Sequence, residues 1–237
     1  MKSKNKIAVI GGTGFELLSD IKGQTISTPY GKAFLKEKGN LIFLPRHGKK
    51  YLAPHRINFR ANLTALKKKG VKSILATAAC GSLRKNIQPR DFVLLSDFVD
   101  FTKSRIQTFN PLGAPNYIDM SEPYSEFLRG EILKAAQELK IKIHKTGIYA
   151  CAEGPRFETK AEIRAFQMLG CEVVGMTQMP EVVLAAEAGI PYAALGIVTN
   201  YAAGLQKRIS GQEVMEIMRI KSQKAKQLLL KVCESLI

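Results

Sequence analysis

The chain has 237 residues, 46% of them hydrophobic and 24% charged; that suffices for one sizeable core and falls short of two ordinary domains, and no linker, repeat or low-complexity run divides it. Its 36 Lys and Arg outweigh 20 Asp and Glu to give a net charge of +16. Such a balance suits an anionic small substrate, and because the lysines are scattered, with no basic stripe interleaved with aromatics, nucleic acid is not expected as a partner.

The longest apolar stretch, Val182 to Val198, is interrupted by Glu187 and Pro191, so no transmembrane helix and no membrane partner are expected. The apolar part of the N-terminus, Ile7 to Ile10, is too short for a signal peptide. Four cysteines (Cys80, Cys151, Cys171 and Cys233) are widely spaced, with no CxxC and no nearby His pair. They read as buried thiols of a cytoplasmic protein, with no metal site.

In chain order, Ile7 to Ile10 is a buried strand that runs into Gly11-Gly12-Thr13-Gly14. Glycines after a strand fit an anion cradle or an ordinary strand-ending turn, and the pattern is neither GxGxxG nor the Lys-containing phosphate loop. A second buried strand, Leu41 to Leu44, delivers Arg46 and His47, a planar fork of donors beside a ring donor, suited to clamping an anion. His55 reads as a loop histidine with no catalytic job, the alternative being reach to a site or a neighbouring subunit. A helix is predicted over 58–69, with Phe59, Leu63 and Leu66 on one face and Gly70 ending it.

Ser73 to Ala79 is an apolar strand that leads into Cys80-Gly81-Ser82, and Phe92–Leu95 and Phe98–Phe101 are further extended pieces. Thr102 to Tyr117 reads as a loop long enough for a lid or a subunit contact. An amphipathic helix is predicted over 126–139, with Leu128, Ile132, Ala135 and Leu139 on one face, and extended chain over 141–151. Capping boxes at Thr159–Glu162 and Ser210–Glu213 open two more helices. Between them lie strands over 172–176 and 191–199, and a helix opened by Pro180.

Strands therefore alternate with helices, which predicts an α/β layer architecture with a mostly parallel central sheet and ligands beyond the strand ends. Thr13, Arg46, Ala79, Thr177 and Asn200 all fall at such predicted ends. Duller readings stand beside this one. Glu158 can serve a helix start, Asn200 a turn and Thr177 a turn cap, and Met176 and Phe157 can be plain core.

The segments IAVIGGTGF, LPRHG, NFRANLTALKKKGVKSILATAACGSLR, GIYACAEGPRFETKAEI and VVGMTQMPEVVLAAEAGIPYAALGIVTNYAAG follow one another in an order that resembles the trimeric purine nucleoside phosphorylases. The start of the chain and LPRHG resemble the 5′-methylthioadenosine phosphorylase branch. The resemblance covers Ile7 to Val232. It implies a single phosphorylase-type α/β domain over residues 1–237, with a central mixed, barrel-like sheet flanked by helices, assembled as a homotrimer or a dimer of trimers. It also implies phosphorolysis of a purine nucleoside to free base and a ribose-1-phosphate or its 5′-methylthio analogue, with inorganic phosphate as co-substrate and no metal or organic cofactor.

Carried onto this chain, Thr13, Arg46, His47, Ala79 and Thr177 would bind phosphate, with His47 as a donor. Met176 would lie along the ribose and Phe157 on the purine, and Glu158 and Asn200 would hold the base and carry its departure. The adenine-selective branch has Ser in place of Glu158, and Asp in place of Asn200 and Ala202. A carboxylate at Glu158 accepts from the N1–H of a 6-oxopurine and would face the N1 lone pair of adenine, so the resemblance points to 6-oxopurines. The segment that opens the last helix lacks the His found where a 5′-hydroxyl is bound. Gly211, Val214 and Met218 would instead make an apolar pocket for a 5′-methylthio group, pointing to S-methyl-5′-thioinosine, with inosine and guanosine as further substrates. The alternatives are an adenine-selective methylthioadenosine phosphorylase, a nucleosidase using water, and a non-catalytic nucleic-acid-binding protein.

Overall fold

Strand β1 (Lys6–Gly11) turns Ala8 and Ile10 to one face and Ile7 and Val9 to the other, and all four are buried. A strand that is apolar on both faces must be covered on both. The computed structural model, which describes residues 5–237 apart from 111 and 115, covers it in that way. In chain order the elements are β1, β2 (Gln24–Thr28), β3 (Gly31–Lys38), β4 (Leu41–Pro45), α1 (Phe59–Lys68), β5 (Val71–Ser82), β6 (Phe92–Leu94), β7 (Asp97–Phe101), α2 (Glu126–Glu138), β8 (Ile148–Ala152), α3 (Lys160–Met168), β9 (Val173–Gly175), α4 (Glu181–Glu187), β10 (Tyr192–Tyr201) and α5 (Gly211–Leu236).

Helices α1 and α4 bury Leu63, Leu66, Val182 and Leu184 against one face of the sheet. On the other face, α2 and α5 bury Leu128, Ile132, Leu228 and Val232. A smaller cluster joins Ile163 and Phe166 of α3 to Ala150, Val174 and Leu83.

The sheet is mixed, in the order β2-β3-β4-β1-β5-β9-β8-β7, with β10 on the other edge of β5 and β6 beyond β10. Its central pairs are parallel (β1 with β4 and β5, β5 with β10), whereas β2–β3, β3–β4, β6–β10 and β5–β9 are antiparallel. The long strand β5 is the branch point. β1 pairs it as far as Ala76, and β9 takes over on the same side only at Gly81. Between them one edge of β5 has no strand partner, and the candidate site opens in that gap.

Several sequence expectations change. The hairpin β2–β3 gives no period strong enough to be read from sequence, because its pattern is largely exposed. β5 and β10 outrun their predicted ends, so Ala79 and Asn200 lie within strands and not beyond them. Of the extended stretch over 141–151, only the part from Ile148 onward is regular strand. The box at Thr159 is complete. At Ser210 only half forms: the Ser210 hydroxyl accepts from the Glu213 N–H, but the Glu213 carboxylate accepts from Gln206 Nε2 at 2.9 Å. Leu139, expected on the buried face of α2, is at its C-cap and 38% exposed.

The predicted 102–117 loop carries no helix or strand among its described residues beyond Thr102, and positions 111 and 115 lie outside the described residues. Its first half is tied down. Arg105 donates to the carbonyls of Met176 (2.7 Å), Glu153 (2.7 Å) and Met179, while Thr108 and the Phe109 N–H both donate to Glu187. The four cysteines are all free and buried.

Candidate active site

The gap beside β5 is floored by glycines because nothing larger fits. A Cβ on Gly12 would stand 2.8 Å from Arg46 Nη1, and one on Gly175 would stand 2.1 Å from the Tyr149 hydroxyl and 3.0 Å from the Ala79 carbonyl. The resulting cavity is lined by residues from four strands and the turns after them: Thr13 after β1, Arg46 and His47 after β4, Ala79 and Gly81 within β5, and Met176 and Thr177 after β9. Phe157 and Glu158, on the approach to α3, line it from one side, with Asn200 of β10 and Val214 of α5 completing the wall.

Arg46 has no exposed side-chain surface. Its Nε and Nη2 each donate at 2.7 Å to one oxygen of Glu181, and Nη1 donates at 2.7 Å to the Thr77 carbonyl, on the unpaired edge of β5. Burial works against the charge, but Glu181 outweighs it and holds the guanidinium above its ordinary value. A guanidinium has five N–H donors, of which these contacts take three. The remaining two sit one on each terminal nitrogen. Glu181 in turn accepts from the Tyr192 hydroxyl at 2.7 Å.

His47 is held by its turn. Nδ1 lies 2.8 Å from the Leu52 carbonyl, and a carbonyl only accepts, so Nδ1 carries the hydrogen. Nε2 is buried without a partner. Burial, and then the charge of Arg46, push the imidazole below its ordinary value despite the Leu52 bond and Glu181. The neutral ring therefore presents Nε2 as a lone pair, and the expected donor role calls for the protonated ring. Tyr51 stacks on the ring at 4.7 Å, and its hydroxyl donates to Thr13 Oγ1 at 2.6 Å. That leaves the Thr13 hydroxyl hydrogen free for a ligand.

At the other end, Glu158 is buried with Oε1 unpartnered. Burial raises its carboxyl above the ordinary value, and Glu162 adds to the rise. Asn200 is oriented by its neighbours: Oδ1 accepts from the Thr199 hydroxyl at 2.7 Å and Nδ2 donates to the Tyr201 carbonyl at 2.9 Å. Because that carbonyl can only accept, the amide cannot be reversed, and one Nδ2 hydrogen remains to donate. Phe157 is 39% exposed at the rim. Cys80 also lines the cavity, but burial pushes its thiol up to about 12, so it is no thiolate nucleophile near neutral pH. Among the described residues no group of three or more His, Cys, Asp or Glu is placed to hold a metal ion.

Of the residues singled out from sequence, three do not line this cavity. Ala202 is in the small core cluster with Val174 and Leu83. Met218 is fully buried, with its Cβ 2.9 Å from where a Cβ on Gly14 would stand, so it supports the glycine turn from below. Gly211 lines a separate groove on the outer side of α5. The expected apolar pocket at the start of α5 therefore shrinks to Val214: the three positions share a helix face by their spacing, but they lie at different heights along α5 and only the middle one lines the gap. Sequence reasoning missed Glu181, Tyr51, Thr199 and Arg105. Glu181 had a signal, a carboxylate opening the apolar run Val182–Ala186; for the others, sequence separation hid the contact.

The chain matches the Phosphorylase superfamily over residues 6–234. It is 46% identical, across 97% of its length and 92% of the relative's, to a Thermococcus kodakarensis protein named "Probable 6-oxopurine nucleoside phosphorylase". It is 44% identical, across 98% and 91%, to a Methanocaldococcus jannaschii protein named "Probable S-methyl-5'-thioinosine phosphorylase". Among solved structures it resembles methylthioadenosine phosphorylase from Schistosoma mansoni in complex with adenine, with a TM-score of 0.91 and 34% identity across 97% of this chain and 90% of that one. By sequence over nearly its whole length, and by a fold shared at that level of identity, the chain belongs to the phosphorylase superfamily.

Proposed function

We propose that the protein cleaves purine nucleosides with inorganic phosphate and prefers 6-oxopurines, with S-methyl-5′-thioinosine as the leading substrate and inosine and guanosine as further ones. The observation that carries this reading is the meeting, around one cavity, of the Arg46 guanidinium, with one N–H spare on each terminal nitrogen, an unpartnered carboxyl oxygen of Glu158 and a spare amide N–H of Asn200. The names of the two relatives, one for 6-oxopurine nucleosides and one for methylthioinosine, support the same base preference.

In this reading Arg46, Thr13 and Thr177 hold phosphate below the sugar. The C1′–N9 bond breaks with its electron pair going to the base, and a phosphate oxygen takes its place on C1′. Asn200 donates to the departing purine at N7 or O6, where negative charge develops, and Glu158 accepts from N1–H. Met176 lies along the ribose, and Phe157 packs on the purine face. Phosphate is the co-substrate, and the chemistry calls for no metal or organic cofactor. Val214 is the one predicted apolar residue near the 5′ end that lines the cavity, and the 5′-methylthio preference rests on it.

The protein is read as a cytoplasmic enzyme, consistent with its buried free thiols, and as a homotrimer or dimer of trimers. Exposed apolar side chains at Ile106, Leu112 and Tyr117 support the 102–117 loop as a subunit contact; sedimentation or light scattering tests the assembly. The substrate test is a phosphate-dependent assay across methylthioinosine, inosine, guanosine, adenosine and methylthioadenosine. The expected outcome is phosphate-dependent release of 6-oxopurines. Faster cleavage of methylthioadenosine than of methylthioinosine at saturating phosphate overturns the base assignment, and cleavage without phosphate points to a nucleosidase.

A further inference from the structure

Arg46 and Arg105 are both buried arginines, and they differ in what they leave free. Arg46 keeps two N–H groups, whereas every N–H of Arg105 is taken. The Arg105 side chain is 4% exposed. Its Nη1 donates to the carbonyls of Met176, at 2.7 Å, and Met179. Its Nη2 donates to the carbonyls of Glu153, at 2.7 Å, and Ala152, at 3.4 Å, and Nε donates to the Glu153 carboxylate at 3.3 Å. That accounts for all five N–H groups of a guanidinium. An arginine so occupied has nothing to offer a substrate. What it holds together is main chain.

The two pairs of carbonyls belong to two walls of the cavity. Ala152 and Glu153 stand at the exit of β8, on the way to Phe157 and Glu158, while Met176 and Met179 belong to the turn after β9 that carries Thr177. The walls also touch directly. A Cβ on Gly154, whose φ is +71°, would stand 2.7 Å from Met176 Sδ. A guanidinium is rigid and planar, so the carbonyls bound at Nη1 and Nη2 are held at one separation. The clamp is itself anchored. The guanidinium carbon lies 5.7 Å from the centre of the Phe59 ring of α1, and the Lys103 N–H donates to the Glu153 carboxylate at 2.6 Å.

We propose that Arg105 is a positioning residue that sets the spacing between the base wall and the ribose wall of the cavity, and so the fit of a ligand that spans both. This rests on the nucleoside reading given above, in which Phe157 and Glu158 meet the purine and Met176 the ribose. A nucleoside bridges the two walls, and a free purine base touches only the first. Walls misplaced by about 1 Å therefore cost the nucleoside about tenfold to a hundredfold in kcat/KM and spare the base.

The test compares the full-length wild-type enzyme with Arg105→Met at saturating phosphate. It reads kcat/KM for methylthioinosine and inosine, and the inhibition constant of free hypoxanthine. The nucleoside kcat/KM is expected to fall about tenfold or more, with the hypoxanthine constant within about twofold of wild type. Arg105→Lys should show the same split, because one ammonium nitrogen cannot serve both walls; it keeps the buried charge and carries the test if Arg105→Met does not fold. Glu153→Gln leaves all four carbonyls and the guanidinium in place, so it should stay within about twofold on both measures. Nucleoside and hypoxanthine weakened alike mean general loosening and overturn the proposal. An unchanged nucleoside kcat/KM overturns it too, as does a Glu153→Gln variant that reproduces the loss. A wild-type enzyme that neither cleaves these nucleosides nor binds hypoxanthine would sink the base reading and this proposal with it. A wild type that does both, with variants that show no split, would sink only the spacing role.

Discussion

Glu158 keeps one carboxyl oxygen buried and unpartnered, and its carboxyl is raised above the ordinary value of 4.5 by burial. The sign of the consequence follows from linkage. A carboxyl raised in the folded state still holds its proton where the unfolded chain has lost it. That stabilises the fold at acid pH, and the contribution is lost as pH rises through the raised value. At neutral pH the buried charge is a cost, so Glu158→Gln should melt higher than wild type. The gap should widen upward from about pH 4.5 and reach about 2–4 °C for each ~1 kcal/mol removed. The same substitution should weaken 6-oxopurine binding, because the amide can turn a donor toward N1–H.

The pair Arg46–Glu181 makes a second residue-scale case. With both side chains fully buried at 2.7 Å, Arg46→Ala strands a carboxylate and should cost about 3–5 kcal/mol in urea denaturation. Arg46→Met combined with Glu181→Met should recover much of that stability and none of the phosphate-dependent turnover. This separates what the pair does for the fold from what the guanidinium does for phosphate.

Helix α3 shows how an element sets the site. Thr159 accepts from the Glu162 N–H, and the Glu162 carboxylate accepts from the Thr159 N–H at 2.7 Å and pairs with Arg156. The Arg156 and Thr159 contacts bring that carboxyl down to about 2. Glu158 is the residue just before this cap, so the box that starts the helix also holds Glu158 in the cavity wall. Thr159→Ala should cost about 1 kcal/mol of stability and raise the nucleoside KM while leaving the phosphate KM within about twofold, measured by denaturation and by two-substrate kinetics. Strand β9 imposes the matching constraint from the other side. A Cβ on Gly175 would overlap the Tyr149 hydroxyl, so Gly175→Ala should shift the floor under Thr177 and cost about 1–3 kcal/mol.

At the scale of the whole molecule the net charge of +16 is a field rather than a site. It raises the local concentration of an anion and leaves a neutral nucleoside unaffected. Raising salt from low levels to about 0.5 M should therefore raise the phosphate KM severalfold and change the nucleoside KM little, because exposed charges are screened beyond a Debye length of a few ångströms. At this scale too, two apolar layers on a both-faces-buried sheet explain why α1 and α4 lie opposite α2 and α5.

Much of this was legible in the sequence. The apolar runs at Ile7–Ile10 and Leu41–Leu44, the helix face Phe59-Leu63-Leu66 and the box at Thr159 are local patterns, and local patterns are what a sequence carries directly. The ordered motifs placed ten of the thirteen named site residues around one cavity. The tertiary structure alone decided the rest. Whether Met218 and Gly211 reach the cavity depends on where along its length α5 passes the gap, since both share a helix face with Val214, which does. The partner of Arg46 is Glu181, which is 135 positions away in the chain, and the hydrogen on His47 is fixed by a carbonyl that the turn brings within 2.8 Å. Residue type states what a side chain can do; which of its donors and acceptors are already taken, and so what remains for a ligand, is settled only when the chain has folded around it.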